Sequence, residues 1–224
     1  MNAVIELKNV KKSFKNKCIY ENINLKINEG ECVGFVGQNG SGKSVLFNII
    51  SGLLPIEEGK VIIDGKCLGK DLDYPESVGV LINEPGYIEY LNGFKNLKML
   101  ADIRNEVTDE DIVNTMHLVG LDPNDKTRVK NYSMGMKQKL GIAQAIMENQ
   151  KIIILDEPYN ALDYNTNIEI TKLLFTLKEQ GRTILLTSHQ HEYLEKLCDK
   201  MYFIENHGLT VFDDVIKKKY FEIL

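Results

Sequence analysis

Residues 37–44 read Gly37-Gln38-Asn39-Gly40-Ser41-Gly42-Lys43-Ser44 and fit the pattern G-x-x-x-x-G-K-[ST] at every fixed position. The flanks decide what the match means. Upstream, Cys32, Val33, Gly34, Phe35 and Val36 predict a short buried strand; downstream, Leu46, Ile49, Ile50 and Leu53 recur at helical spacing. A strand, a glycine-rich turn and a helix N-terminus make an anion cradle, because backbone N–H groups and the positive end of the helix dipole converge on it. Glycine at positions 37, 40 and 42 keeps side chains away from a phosphate and allows the tight turn. Lys43 is placed to reach the β- and γ-phosphates of a nucleotide, and the Ser44 hydroxyl to ligate Mg2+. The run Gly37, Gln38, Asn39, Gly40, Ser41, Gly42, Lys43, Ser44 and Val45 is therefore expected to hold nucleotide. A glycine-rich turn would match by accident in a chain of this length on the order of one time in a hundred.

The bulk properties narrow the partners. A chain of 224 residues is long enough for one α/β domain with a sizeable core. Its net charge of -5 gives no basic footprint, so nucleic acid is not expected as a partner. Cys18, Cys32, Cys67 and Cys198 are scattered without a C-x-x-C pair, which argues against a zinc site or a disulfide framework and suits a reducing cytoplasm. No apolar run approaches the roughly 20 residues that span a bilayer. The expectation is a soluble, cytoplasmic chain that reaches a membrane only through a partner.

Taken in order, Ile5 and Leu7, then Ile23, Leu25 and Ile27, alternate with polar residues and predict antiparallel strands with one wet face. Gly59 to Gly65 reads as a strand closing on an Asp-Gly turn, and Val78 to Ile82 as another short strand. The stretch from about Asn92 to Met147 turns helical. Asn92 to Ala101 is one helix. Thr108 and Asp111 form a capping box for a second, with Ile112, Met116 and Val119 on its core face; a third runs from near Ser133 to about Asn149. Residues 84–149 are thus expected to form a helical subdomain within a single domain spanning 1–224. From Ile152 the sheet pattern returns. Residues 152–155 are continuously apolar, and a helix carrying Ile170, Leu173, Leu174 and Leu177 stops at Gly181. Thr183 to Thr187 is the next strand, His191 to Leu197 a short helix, and Met201 to Ile204 pairs with Leu209 to Phe212 across a turn at His207-Gly208. The end of the chain, with Lys217-Lys218-Lys219, reads as a solvated helix without a role.

The apolar run 152–155 ends in Asp156-Glu157-Pro158. A carboxylate at the end of a buried strand beside a phosphate loop is where such folds hold Mg2+, directly or through water, and Asp156 fits that place. Glu157 then lies near the γ-phosphate as a candidate general base. The plainer alternative, that Asp156 merely caps the following helix, loses weight because the phosphate loop stands in the same expected sheet.

Five further short motifs follow in order: Phe14, Val78 to Asn83, Tyr132 to Met136, Asn160 to Asp163 and Thr187 to His189. Together they make the chain resemble the ATP-binding proteins of the ATP-binding cassette (ABC) transporter family over nearly its whole length. The resemblance implies an α/β P-loop NTPase fold of ABC-ATPase type: a parallel-sheet core, an antiparallel β edge and the inserted helical subdomain. It implies an ATPase with ATP and Mg2+ as cofactors. Phe14 occupies the position of an aromatic that stacks on adenine, and Val78-Gly79-Val80-Leu81-Ile82-Asn83 that of a loop normally ending in glutamine. Asn83 is one methylene shorter, and would contact Mg2+ or the attacking water. Tyr132-Ser133-Met134-Gly135-Met136 occupies the signature position, with Met134 and Met136 where glycine and glutamine are commoner. In the family, Ser133 and Gly135 would close on the γ-phosphate held by a second subunit, in a head-to-tail homodimer. From the residues alone, Ser133 reads first as a plain helix cap. Asn160-Ala161-Leu162-Asp163 resembles the dimer-contact loop, and Thr187-Ser188-His189 places His189 as the switch histidine at the strand end where ligands bind. His191 is a nearby alternative inside a helix.

The strings Y-S-M-G-M-K-Q-K-L-G-I-A and V-G-V-L-I-N-E-P-G-Y-I-E-Y-L-N-G resemble a subgroup of bacterial exporters that confer bacitracin resistance and lantibiotic immunity. They imply export of a drug or antimicrobial peptide through an integral membrane permease docked near Asn83 to Tyr90, at the inner face of the cell membrane. A non-transport cassette protein (serving iron–sulphur assembly, for example), a small-molecule kinase and a non-hydrolysing nucleotide-gated module are the alternatives.

Overall fold

The computed structural model describes residues 2–15, 17–83 and 86–222. Alternation sets the first two strands, β1 (Ala3–Phe14) and β2 (Lys17–Asn28), which pair antiparallel with Ile5 opposite Ile27 and Leu7 opposite Leu25. Left-handed Asn9 and Asn22 mark irregularities that let these long strands coil. After β3 (Cys32–Val36) and α1 (Lys43–Ile50), β4 (Glu58–Ile63) returns to pair with β1, followed by the short β5 (Lys66–Cys67) and by β6 (Val78–Leu81).

Between β6 and β7 (Ile152–Leu155), the longer elements are helices: α2 (Gly93–Arg104), α3 (Asp109–Leu118) and α4 (Met134–Ile146). Asn92 caps α2, the Thr108–Asp111 capping box starts α3 as expected, and Ser133 caps α4. The remainder alternates: α5 (Tyr164–Glu179), β8 (Thr183–Thr187), α6 (His191–Leu197), β9 (Lys200–Glu205), β10 (Gly208–Val211) and α7 (Asp214–Glu222).

The strands form two sheets. A four-stranded antiparallel sheet has the order β2-β1-β4-β5, and a six-stranded sheet the order β10-β9-β3-β8-β7-β6. In the larger sheet the pairings from β9 to β6 are all parallel, and β10 alone runs antiparallel. Period-two alternation divides the parallel strands between two cores. Val33, Phe35, Ile152, Ile154 and Leu185 face Leu46, Phe47 and Ile50 of α1, which lies against Ile5, Leu7 and Ile27 of the smaller sheet. Cys32, Val36, Ile153, Leu155, Ile184 and Leu186 face the opposite core, which includes Leu140, Ile170, Leu174 and Leu194. Coverage on both faces explains the unbroken apolar runs of β7 and β8.

The antiparallel strands expected beside the parallel core are present, as a separate sheet in which β4 pairs with β1. Three expectations are corrected. Leu53 is not on α1: the helix ends at Ile50, and Leu53 is 55 % exposed. α4 stops at Ile146, where left-handed Asn149 turns the chain and Arg182 binds the carbonyls of Asn149 and Gln150. The β9–β10 turn sits at Asn206-His207, whose φ values of 49° and 63° give the two positive φ angles of a type I′ hairpin turn, and Gly208 already pairs with Glu205. The expected docking stretch from Asn83 to Tyr90 includes residues 84 and 85, which lie outside the described residues; so does the side chain of Lys219.

One contact fixes the helices to the sheet. A Cβ built on Gly79 of β6 would stand 1.7 Å from the carbonyl oxygen of Ala145 on α4. Gly79→Ala must therefore push two backbones apart. We expect it to cost about 1–3 kcal/mol, a fall of several degrees in Tm by thermal unfolding; an unchanged Tm would contradict the contact.

Candidate functional site

Parallel pairing aligns the C-terminal ends of β3, β8, β7 and β6, with Phe35 opposite Thr187, Leu155 opposite Leu186 and Leu81 opposite Leu155. The residues that follow those ends surround a cleft of about 560 Å³. Gly40, Gly42, Lys43, Ser44 and Val45 supply one wall; Asp156, Glu157 and His189 supply another; Asn83 and Asn39 also line it.

The loop's helix is open at its start. α1 has no side-chain cap, so N–H groups of its first turn remain uncommitted within the helix. Gly42 precedes it at φ 113°, and a Cβ there would meet the Tyr20 hydroxyl at 2.8 Å. That hydroxyl, on the buried Tyr20 of β2, donates to the Gly42 carbonyl at 2.8 Å and ties the smaller sheet to the loop. Lys43 is buried, and its Nζ donates to the carbonyls of Gly37 (2.9 Å) and Gln38 (3.3 Å). Burial lowers the pKa of this amine, against the opposing pull of Glu157 and Asp156.

Asp156 sits at the junction. Its Oδ2 accepts a hydrogen bond from Ser44 Oγ, its Oδ1 accepts from Thr187 Oγ1 at 2.7 Å, and its amide donates to the Leu81 carbonyl at 2.7 Å. Glu157 follows in a left-handed conformation, φ 52°, with its amide donating to Thr187 Oγ1 at 2.8 Å. Its Oε2 accepts from the His189 amide at 3.0 Å, and His189 Nε2 lies 3.3 Å from Oε1. That distance is within ion-pair range, yet Oε1 is buried and receives no hydrogen bond among the described residues. Burial raises the pKa of Glu157, with the His189 and Lys43 charges pulling it down and Asp156 pushing it up. Asn83 and Ala161 share the left-handed backbone, at φ 59° and 57°. Such strain at non-glycine residues gathers at functional sites.

Other expected residues lie elsewhere. Phe14 does not line the cleft: it ends β1, is 44 % exposed, and has Lys12 Nζ 5.1 Å from its ring centroid. Ser133 and Gly135 do not line it either, although their neighbour Met134 and Gln138 do. Ser133 Oγ accepts from the Met136 amide at 3.2 Å, so the plain cap is realised. Gly37 is buried behind the loop, and Gln38 and Ser41 are also outside the lining. Sequence reasoning missed Ile19, Tyr20 and Thr187. Alternation from Ile23, Leu25 and Ile27 puts Tyr20 on the wet face, and only the irregularity at left-handed Asn22 turns it inward; Thr187 gives no signal either.

The family described as "ABC transporter" matches residues 20–160. The chain is 39 % identical over 217 residues to the ABC transporter ATP-binding protein YybJ of Bacillus subtilis (strain 168), covering 96 % of this chain and 99 % of YybJ. It is 34 % identical to the lantibiotic transport ATP-binding protein SrtF of Streptococcus pyogenes, over 90 % of this chain and 86 % of SrtF. Against the bacitracin transport ATP-binding protein BcrA of Enterococcus faecalis it is 35 % identical, over 89 % of this chain and 65 % of BcrA. Among solved structures, the dimeric post-hydrolysis ATP-binding cassette MJ0796, bound to ADP and Pi, aligns with TM-score 0.81 and 26 % identity, over 92 % of this chain and 96 % of that one.

The Tyr20 bond yields a prediction. Tyr20→Phe leaves the Gly42 carbonyl short of one donor, and should lower stability by about 1 kcal/mol while weakening binding of a fluorescent ATP analogue several-fold. Wild-type affinity in that variant would show that the bond does not hold the loop.

Proposed function

The chain belongs to the ABC transporter family, as one of its ATP-binding proteins, and from that premise we propose how its cleft hydrolyses ATP and what the hydrolysis drives. Lys43 and the amides at the start of α1 bind the phosphates. Glu157 takes a proton from the attacking water, and His189 orients Glu157 and meets the γ-phosphate. The observation that carries this reading is Glu157 Oε1: a buried carboxylate oxygen on the cleft that accepts no hydrogen bond among the described residues, beside a histidine whose amide fixes its sister oxygen. A water seated there would satisfy it.

Mg2+ fits the donor set. Ser44 and Asp156 present hard oxygen atoms in mutual contact, and the described residues contain no cluster of three His, Cys, Asp or Glu that could hold a metal alone. Such a site suits a cation that takes most of its ligands from phosphate and water. Ser44 and Asp156 would hold it, with Asn83 on the same cleft. When bound, the ion neutralises charge on the phosphates.

The partners follow from the same premise. Ser133 and Gly135 lie outside the chain's own cleft, which supports their use on the nucleotide of a second copy in a head-to-tail homodimer. The dimeric cassette among the structural neighbours supports it too. No helix among the described residues is long and apolar enough to cross a membrane. Membership of the family supports a separate permease for the transport path, with this chain at the membrane's inner face. Residues 84–149 form the helical subdomain of one domain spanning 1–224. Exposed Tyr90, Met99 and Ile103, following Asn83, offer apolar surface for the permease. Likeness to SrtF and BcrA supports export of an antimicrobial peptide or drug as the task.

Two outcomes test the base. Glu157→Gln should reduce phosphate release by at least about a hundredfold while retaining ATP and accumulating as a dimer; near-normal turnover would remove Glu157 from the role. The pH profile offers a second check. Burial raises the Glu157 pKa, so the carboxylate gains its proton at a higher pH than an ordinary glutamate as pH falls. The acid limb of kcat/KM, which reports the free protein, should therefore lie above the usual carboxylate range and vanish in Glu157→Gln; a limb at about 4.3 would contradict the assignment.

A further inference from the structure

Thr187 closes β8 with no exposed surface. Valine would fill the same space in a buried strand and suits it better. A buried hydroxyl is costly unless hydrogen-bonded, and this one is bonded twice. It donates to Asp156 Oδ1 at 2.7 Å and accepts from the Glu157 amide at 2.8 Å. Both partners belong to β7's end, and both carboxylates line the cleft, whereas Thr187 does not.

The consequences differ for the two partners. Pinning Oδ1 of Asp156 leaves Oδ2 as the oxygen turned to Ser44. Accepting the Glu157 amide gives a partner to an N–H that the left-handed turn at φ 52° takes out of the strand ladder. That turn carries the Glu157 side chain to the His189 amide. His189 is itself two residues beyond Thr187, so one residue of β8 sets the distance between carboxylate pair and histidine.

We propose that Thr187 is a positioning residue for both carboxylates: its hydroxyl aims Asp156 at Mg2+ and holds the Glu157 backbone in the conformation that polarises water. This rests on the reading of the cleft as an MgATP site. Thr187 does not line the cleft, and its effect passes through Asp156 and Glu157.

The test compares Thr187→Val, which keeps the shape and removes the hydroxyl, with Thr187→Ser, which keeps the hydroxyl. Binding of a fluorescent ATP analogue is titrated with Mg2+ and again in EDTA, and phosphate release is measured across the same Mg2+ range. In Thr187→Val the Mg2+ concentration giving half-maximal binding should rise about tenfold, the scale of one hydrogen bond to a charged group. Turnover at saturating Mg2+ should fall by a similar factor or more, with affinity in EDTA unchanged; Thr187→Ser should match wild type on every readout. A wild-type Mg2+ midpoint in Thr187→Val would overturn the proposal. An equal loss of affinity in EDTA, which a merely structural role would produce, would also overturn it, as would a shifted midpoint in Thr187→Ser should the valine variant not fold. Absence of Mg2+-dependent phosphate release from the wild-type protein would instead strike the reading of the cleft, while the binding titrations still report on Thr187.

Discussion

The carboxylate of Asp156 is the point on which the rest of the molecule converges. It accepts from Ser44 at the head of α1 and from Thr187 at the end of β8, while its own amide is bonded to β6. Four segments, distant in sequence, thus share one residue. A buried carboxylate is stable only when its oxygens are bonded, so the interaction requires the parallel strands to end level with one another. The register between β3, β8, β7 and β6 provides this. Lys43 supplies the nearby positive charge and contributes in turn to the Coulomb balance at Glu157.

What holds that junction still is the packing of α1 between two sheets. Its apolar side chains meet the inner face of the antiparallel sheet on one side and β3, β7 and β8 on the other. The helix start, with its uncapped amides, therefore cannot drift from Asp156, and Tyr20 pins the loop from the smaller sheet. The antiparallel sheet, which among the described residues contributes only Ile19 to the lining, is in this sense part of the site. The local cost appears as left-handed backbone at Asn83, Glu157 and Ala161 around the cleft, at about 1 kcal/mol or more each.

Much of this was legible in the sequence because the relevant signals are local. The loop's glycines, its lysine and its flanking strand are consecutive, and β3 and β8 have the predicted bounds. Capping of α3 by Thr108 and Asp111 needs only residues three apart. What escaped is long-range. Pairing of β4 with β1 depends on a contact across some fifty residues of chain, and no periodicity encodes it. Tyr20 and Thr187 look like ordinary strand residues until the partners Gly42 and Asp156 are brought beside them. Leu53 fits the helical spacing, but spacing does not report where a helix stops. Phe14, Ser133 and Gly135 rest on family likeness, and the fold of one copy leaves them outside its cleft.

On the proposed reading, the cleft is one half of an enclosure: it would hold phosphates, metal and water on one side, and a second copy would supply the other. The measurement that tests this most directly is the rate of phosphate release as protein concentration is raised through the range where dimers are scarce. The account predicts a rate that rises faster than in proportion to concentration. A rate strictly proportional to concentration, from chains shown by sedimentation to be monomeric, would contradict it.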